Sequence, residues 1–305
     1  MSEAKRTVIV TGANGFLGMF CCQAFRSKGF DVLGFVRDPG MAAKSLQGVR
    51  LFKYQLSDQI DRSAFSGNID AVIHCANDPV LKTNVEGTGR LLDLSQQSGV
   101  RQFIFISSLA AHPEARSSYG RSKYEIEKRV AAQNQVIVKP GTIVGPGGLF
   151  QRTREMVRRS LVLPVFYGGQ RRLQIIWIED LCKFIVKIVE EQLKGTFVLA
   201  EEKGVKIRDF YRLIAILEGK KRDMTVPFPG DVALMLVWMM EGIGVKLPIS
   251  SDNLLGLRHL KSFSSEGIET RLGLKIAPFV ESLKCLAERE GNSSVLNQLD
   301  SYVLS

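Results

Sequence analysis

A serine pair, a tyrosine and a lysine near the middle of the chain are spaced for proton transfer. Ser107-Ser108 ends an apolar, β-rich run, and Tyr119-Gly120-Arg121-Ser122-Lys123 opens a helical pattern soon after. Tyr119 and Lys123 are four residues apart and so share one helix face. An ammonium there favours the phenolate of a tyrosine whose unperturbed pKa is about 10, which makes it usable as an acid/base near neutrality. Ser108 can hydrogen-bond a substrate oxygen, so Ser108, Tyr119 and Lys123 are the expected catalytic group. Tyr124 and Lys128 repeat the spacing. They lie about 140° further round, because five residues at about 100° each turn about 500°. Gly120 and Ser122 permit close approach of a cofactor, whereas Glu125 and Glu127 follow Tyr124; chemistry is assigned to Tyr119 and packing to Tyr124.

Such a proton-transfer group needs a hydride carrier, and the N-terminal segment has the form of its site. The apolar run Val8-Ile9-Val10-Thr11 passes straight into Gly12-Ala13-Asn14-Gly15-Phe16-Leu17-Gly18 and then into a helical pattern ending at Lys28-Gly29. A strand, a sharp turn and a helix N-terminus together aim backbone N–H groups at a pyrophosphate, and side chains are excluded at Gly12, Gly15 and Gly18. Eighteen residues beyond Gly18, where an acid would bind the ribose 2′-OH of NAD, the chain reads Val36-Arg37-Asp38. With no acid at the strand tip and a cation after it, Arg37 is expected to pair with a 2′-phosphate. NADP(H) is therefore the preferred cofactor, with NAD(H) the alternative.

The elements that must position these groups alternate. Strand-like runs at Thr7–Thr11, Val32–Val36, Arg50–Tyr54, Ala71–Cys75, Phe103–Ser107 and Val136–Lys139 are interleaved with helical patterns at Phe16–Lys28, Asn84–Ser98 and Tyr119–Ala132. That rhythm predicts an α/β fold, a Rossmann-type doubly wound parallel sheet, over residues 1–148. After Gly145-Pro146-Gly147-Gly148 a smaller, mostly helical substrate lobe is expected over 149–305, with segments around 173–200 able to return to the first domain. Short strands are expected there at Leu173–Trp177 and Thr196–Leu199. The helices expected are Asp180–Gln192, Lys206–Leu217, Asp231–Ile243, Ser251–Leu260 and Phe279–Glu290.

Composition excludes several classes. The 305 residues carry a net charge of +10, but the basic residues are dispersed apart from Arg152, Arg154, Arg158, Arg159 and Arg171-Arg172, so no nucleic-acid partner is expected. The apolar run Val232–Met240 falls far short of the roughly 20 residues that span a bilayer. It is read as a buried helix in preference to an interfacial or partner-binding one. Cys21, Cys22, Cys75, Cys182 and Cys285 show no metal spacing, which predicts reduced thiols, no metal and a cytoplasmic setting. The short polar start is not a signal peptide.

These motifs resemble the short-chain dehydrogenase/reductase superfamily in its extended, epimerase/dehydratase-like branch. The likeness also rests on His74-Cys75-Ala76-Asn77, on Asn84-Val85-Glu86-Gly87-Thr88, on the run from Lys139-Pro140 to Gly147, and on Ile178-Glu179-Asp180. By resemblance the cofactor groove includes Gln55, Leu56, Cys75, Ala76 and Asn77 beside the residues of the glycine turn. Asn84 steadies the central helix and an active-site water, Lys123 also holds the nicotinamide ribose, and Pro140 borders the nicotinamide. Gln55 stands where the family often has an aspartate near adenine, and Asn77 replaces a common alanine. The loops before Asn84 and before Tyr119 look shorter than in sugar epimerases. The usual Arg-Asp before the Asp180 segment is missing, so Arg171 or Arg172 would have to substitute toward substrate. Asp180 is read as a helix N-cap, and His74 as a packed strand-end residue. Asp231–Ile243 with Lys246–Asn253 also resembles the subgroup containing the nucleotide-binding accessory subunit of respiratory complex I.

The resemblance implies an NADP(H)-dependent oxidoreductase acting at an alcohol or carbonyl carbon of a small molecule. The alternatives are a nucleotide-sugar epimerase or dehydratase and a non-catalytic NADPH-binding structural or sensing subunit. By the same analogy, Asn84–Ser98 and Tyr119–Ala132 would form a homodimer bundle.

Overall fold

Burial along the first strand sets the layer plan. Val8 and Val10 of β1 (Thr7–Thr11) face one core together with Cys21, Cys22 and Phe25 of α1 (Phe16–Ser27), whereas Ile9 faces a second core on the other side. Successive strand side chains point to opposite faces, so a run apolar at every position must be covered on both. The computed structural model describes residues 6–42, 46–220, 225–245 and 250–302. The alternation continues through β2 (Asp31–Val36), β3 (Arg50–Lys53), β4 (Ala71–His74), α2 (Leu81–Gln97), β5 (Gln102–Ile106), α3 (Ser118–Ala132) and β6 (Val136–Pro140). There follow β7 (Thr142–Val144), α4 (Gly148–Arg159), β8 (Leu163–Phe166), β9 (Arg172–Leu173), β10 (Ile175–Trp177), α5 (Ile178–Glu190) and β11 (Gly195–Leu199). The chain ends with β12 (Val205–Lys206), α6 (Ile207–Leu217), β13 (Thr225–Phe228), α7 (Gly230–Gly242), α8 (Ser251–Arg258), α9 (Ile268–Leu272), α10 (Phe279–Arg289) and α11 (Leu296–Asp300).

Seven strands form one parallel sheet in the order β11-β6-β5-β4-β1-β2-β3. Helices α1 and α5 cover one face, and α2 and α3 the other, which is the doubly wound Rossmann-type arrangement. Strand order reverses between β1 and β4, so the crevice beyond their C-terminal ends is where a ligand belongs. Gly12, Arg37, Gln55, Cys75, Ser108 and Pro140 all lie at the C-terminal ends of sheet strands or just beyond them. Because α5 and β11 join this unit, it is discontinuous, and the boundary at residue 148 does not separate residues 178–199 from it.

The remaining segments extend the core that α1 and α5 share with the sheet. Phe150, Phe210 and Phe279 cluster, the last two stacked with centroids 5.1 Å apart. Buried Arg154 joins α4 to α6 and α10, donating to Glu218 at 2.6 Å and to Glu290 at 2.6 and 2.8 Å. The basic run around Arg154 is thereby divided, one member being committed inside the fold.

Three expectations are corrected. Leu173–Trp177 is two strands rather than one: Gln174 exchanges hydrogen bonds with the Phe263 backbone at 2.8 Å each, and β9 pairs with β12 while β10 pairs with β7. Asp180 is not an N-cap, because α5 begins two residues earlier. Its carboxylate instead accepts the Ala277 N–H at 3.0 Å and binds Lys183 at 2.9 Å, pinning the segment that leads into α10. Helix α7 is not buried all round: Ala233, Leu234 and Val237 pack inward while Trp238 is 54% and Met239 63% exposed. Lys246–Ile249, part of the segment carrying the complex I resemblance, lies outside the described residues.

Candidate active site

The glycine turn is built by close approach. Gly12 has φ +64°, and a Cβ there would stand 2.9 Å from the Ala76 nitrogen; at Gly18 a Cβ would stand 2.2 Å from the Gly12 oxygen. Either side chain would force β1, β4 and α1 apart. Gly15 is exposed, its N–H donating to the Gly12 oxygen at 2.8 Å, and α1 starts there with no side-chain cap and no acid in its first turn. Gly15 has no side chain to cap the first helical N–H groups, an arrangement that fits an anion. Ala13 is buried, Leu17 leans on the core, and Asn14 is exposed with its amide 3.4 Å from the Met41 carbonyl. The Phe16 ring lies against Gly145, Gly147 and Gly148, where a Cβ at Gly147 would come within 2.4 Å of it. The glycine turn is therefore locked to the loop that opens α4.

Arg37 is exposed just past β2. The neighbouring acid, Asp38, is occupied in accepting the Gly40 N–H at 2.9 Å. Gln55 is exposed, and its amide donates to Asp58 at 2.7 Å; that bond and one from Ser57 hold the Asp58 carboxyl below its usual range. A carboxylate therefore stands beside the position from which the sequence lacks one. Asp58 lies five residues past the end of β3, beyond the spacing at which that acid is expected. Leu56 is buried, with its carbonyl accepting from Arg90 at 2.5 Å.

Ser108, Tyr119 and Lys123 gather beyond β5. Lys123 is 4% exposed, donates to the Ile106 carbonyl at 2.8 Å, and lies 4.7 Å from the Phe105 ring centroid and 5.8 Å from that of Tyr119. Burial lowers its pKa to about 8, against the opposing pull of Cys75 and Glu127. Tyr119 is 42% exposed. Burial raises its pKa and the Ser108 hydroxyl draws it back down, so these two hydroxyls face one another. Half-buried Tyr124 points elsewhere, beside Lys128, which pairs with Glu125 at 2.6 Å. Pro140 is buried at the end of β6.

Supporting contacts fix this geometry. Thr11 accepts the Ala76 N–H at 3.1 Å and stands 2.8 Å from His74 Nδ1, while His74 Nε2 stands 2.9 Å from the Thr88 hydroxyl. A hydroxyl can donate or accept, so the neutral imidazole is hydrogen-bonded at both ring nitrogens. Burial, reinforced by the Lys123 charge, lowers the His74 pKa to about 3, which holds it neutral as a packing residue. Asn84 donates to Ser122 at 2.7 Å and to Asn77 at 3.3 Å, tying α2 to α3. The bond with Cys21 and burial both push the Cys75 thiol pKa up. Ser107, Glu127 and Lys139 form a buried cluster that spacing alone did not mark.

The two substrate-side arginines diverge. Arg172 donates to the Gly204 carbonyl at 3.0 Å, whereas Arg171 lies 5.7 Å over the Tyr167 ring and, with Arg116 and Arg258, acts on His259. Arg171 is thus the one near α8, and α8 is tied to the start of α3 by the Ser118 N–H donating to Asp252 at 2.6 Å.

Residues 8–200 match the model of the NAD dependent epimerase/dehydratase family. The chain belongs to this family. A dTDP-4-dehydro-6-deoxy-D-allose reductase from Streptomyces bikiniensis is 24% identical, over 71% of this chain and 82% of that enzyme. A ceramide reductase from Caulobacter vibrioides is 29% identical, over 78% of this chain and 80% of that enzyme. Among solved folds, the dTDP-glucose 4,6-dehydratase of Bacillus anthracis in complex with NAD superposes with a TM-score of 0.72 at 15% identity, covering 96% of this chain and 99% of that one. Reductases, epimerases and dehydratases thus surround this member, an NAD(P)-dependent enzyme of the short-chain dehydrogenase/reductase superfamily. Among the described residues no helix is long and apolar enough to cross a membrane, and no His/Cys/Asp/Glu group is arranged to hold a metal.

Proposed function

We propose that this chain is an NADP(H)-dependent reductase of a carbonyl compound, with Tyr119 as proton donor, Lys123 tuning it and Ser108 holding the carbonyl oxygen. The observation that carries the reading is the approach of the Ser108 and Tyr119 hydroxyls beside a buried ammonium, beyond β5 and two strands from the glycine turn. The backbone N–H groups at the start of α1 would hold the pyrophosphate, and Arg37 the ribose 2′-phosphate. When bound, the nicotinamide supplies the hydride. Tyr119 protonates the oxygen as negative charge develops there, and Ser108 orients that oxygen toward the phenol. The nearby Lys123 charge favours the phenolate left behind.

Two reductases among the relatives support net reduction over an epimerisation cycle. The test is NADPH oxidation by the purified protein against a panel of carbonyl compounds, from keto-deoxysugar nucleotides to long-chain ketones. Turnover with readily exchanged NADPH is the expected result. A cofactor that copurifies, does not exchange and is not consumed with any carbonyl compound would sink the reductase in favour of an epimerase.

A further inference from the structure

Helix α7 is apolar on two opposite faces. Ala233, Leu234 and Val237 pack inward against Leu254, Phe166 and Phe228. On the other side Val232, Met235, Leu236 and Met239, with Ile243 just past the helix end, follow helical spacing and are between 43% and 75% exposed. Trp238 flanks this stripe at 54% exposure. A contiguous stripe of large apolar side chains, unlike scattered ones, marks an interaction surface.

Charge around the stripe selects its occupant. Both acids of α7 are engaged: Asp231 pairs with Arg258 at 3.0 Å, and Glu241 accepts the Ser251 N–H at 3.0 Å. Three exposed arginines gather at the start of the helix. Arg258 is held by Asp231, and Arg171 lies over Tyr167, whose ring closes on Gly230. Arg116 joins them in acting on His259. The carboxylate opposing them, Glu114, is paired with Lys261 at 2.7 Å. With a net charge of +10, two copies of the chain repel one another, while an anionic surface attracts the molecule.

We propose that α7 docks on an anionic phospholipid surface, with the Met235–Met239 stripe and Trp238 among the upper acyl chains and Arg116, Arg171 and Arg258 at the headgroups. The proposal stands apart from the reaction assigned above. It has a geometric consequence, because α7 packs on α8 and α8 is clamped to α3 through Ser118 and Asp252. Docking would place the Tyr119 cleft beside the lipid surface.

The chain's two tryptophans make the test selective, since Trp177 is 4% exposed and Trp238 is the exposed one. The full chain is mixed with vesicles of phosphatidylglycerol and phosphatidylcholine in about equal parts, and separately with pure phosphatidylcholine vesicles. Expected are a blue shift of tryptophan emission and cosedimentation with the mixed vesicles. Partitioning should be at least about tenfold stronger than on phosphatidylcholine and should weaken with added salt. Trp238→Phe should cosediment without the shift. Leu236→Ser combined with Met239→Ser should lose at least about tenfold in partitioning at unchanged Tm, both side chains being exposed. Absence of cosedimentation, equal binding to both vesicle types, or a dimer that the double serine variant dissolves would each overturn the proposal.

Discussion

Glu127 and Lys139 form a buried ion pair 2.9 Å apart beneath the loop that carries Ser108. Glu127 also accepts from Ser107 at 2.5 Å, and Lys139 donates to the Ala111 carbonyl at 2.6 Å, so one pair fixes both ends of that loop. Removing one member of a buried pair strands the other charge. Glu127→Ala is therefore expected to cost about 3–5 kcal/mol, read as a lowered midpoint in denaturant. Glu125→Ala, which breaks only the exposed pair with Lys128, should change stability by less than about 1 kcal/mol.

The two tyrosines of α3 give a sharp contrast. Tyr119→Phe keeps the ring beside Lys123 and removes only the hydroxyl facing Ser108, so turnover should fall by about two to four orders of magnitude with NADPH affinity unchanged. Tyr124→Phe should turn over normally. A silent Tyr119→Phe together with an inactive Tyr124→Phe would falsify the assignment of the proton donor.

Reduction should also respond to the charge on Lys123. Its ammonium is fully present below about pH 8 and is discharged as the pH rises through that value, because burial lowers its pKa. In the pH profile of kcat/KM, which reports the free enzyme, the rate of reduction should decline above about pH 8. In Lys123→Met that inflection should vanish along with most of the activity.

What was legible in the chain was what is local. Gly12, Gly15 and Gly18 declare their turn because each excludes a side chain within a few residues, and Tyr119 with Lys123 declares a helix face by spacing alone. Strands such as Thr7–Thr11 stand out because burial on both faces leaves a continuous apolar run. Contacts between distant segments left no such mark: Glu127 meets Lys139 across a helix and a strand, and Asp180 meets Ala277 from the far end of the chain. The composition of α7 reads as core because a helix apolar all round is normally enclosed; only the fold reveals that, among the described residues, one of its faces is exposed.

His74 should make the fold acid-sensitive. Above pH 6.5 it is neutral in both folded and unfolded chains. Below that value the unfolded chain takes up a proton that the folded chain refuses until about pH 3, so stability is lost as the pH falls through this window. At about 1.4 kcal/mol per pH unit the loss reaches at most about 5 kcal/mol. Denaturant unfolding at about pH 7 and about pH 4 measures it, and His74→Asn should flatten the difference.

Cofactor choice turns on Arg37. Asp38, the nearest acid to the strand tip, accepts the Gly40 N–H through one carboxylate oxygen, and Arg37 is exposed just past the C-terminal end of β2. A guanidinium can bond a 2′-phosphate through two N–H groups and gains nothing comparable from a 2′-hydroxyl. Arg37→Ala should therefore weaken NADPH binding by about ten- to a hundredfold while leaving NADH binding nearly unchanged, as read by fluorescence titration. Equal losses for both cofactors would mean that Arg37 acts on the shared part of the dinucleotide. Tighter NADH binding by the unaltered protein would remove the 2′-phosphate from the site altogether.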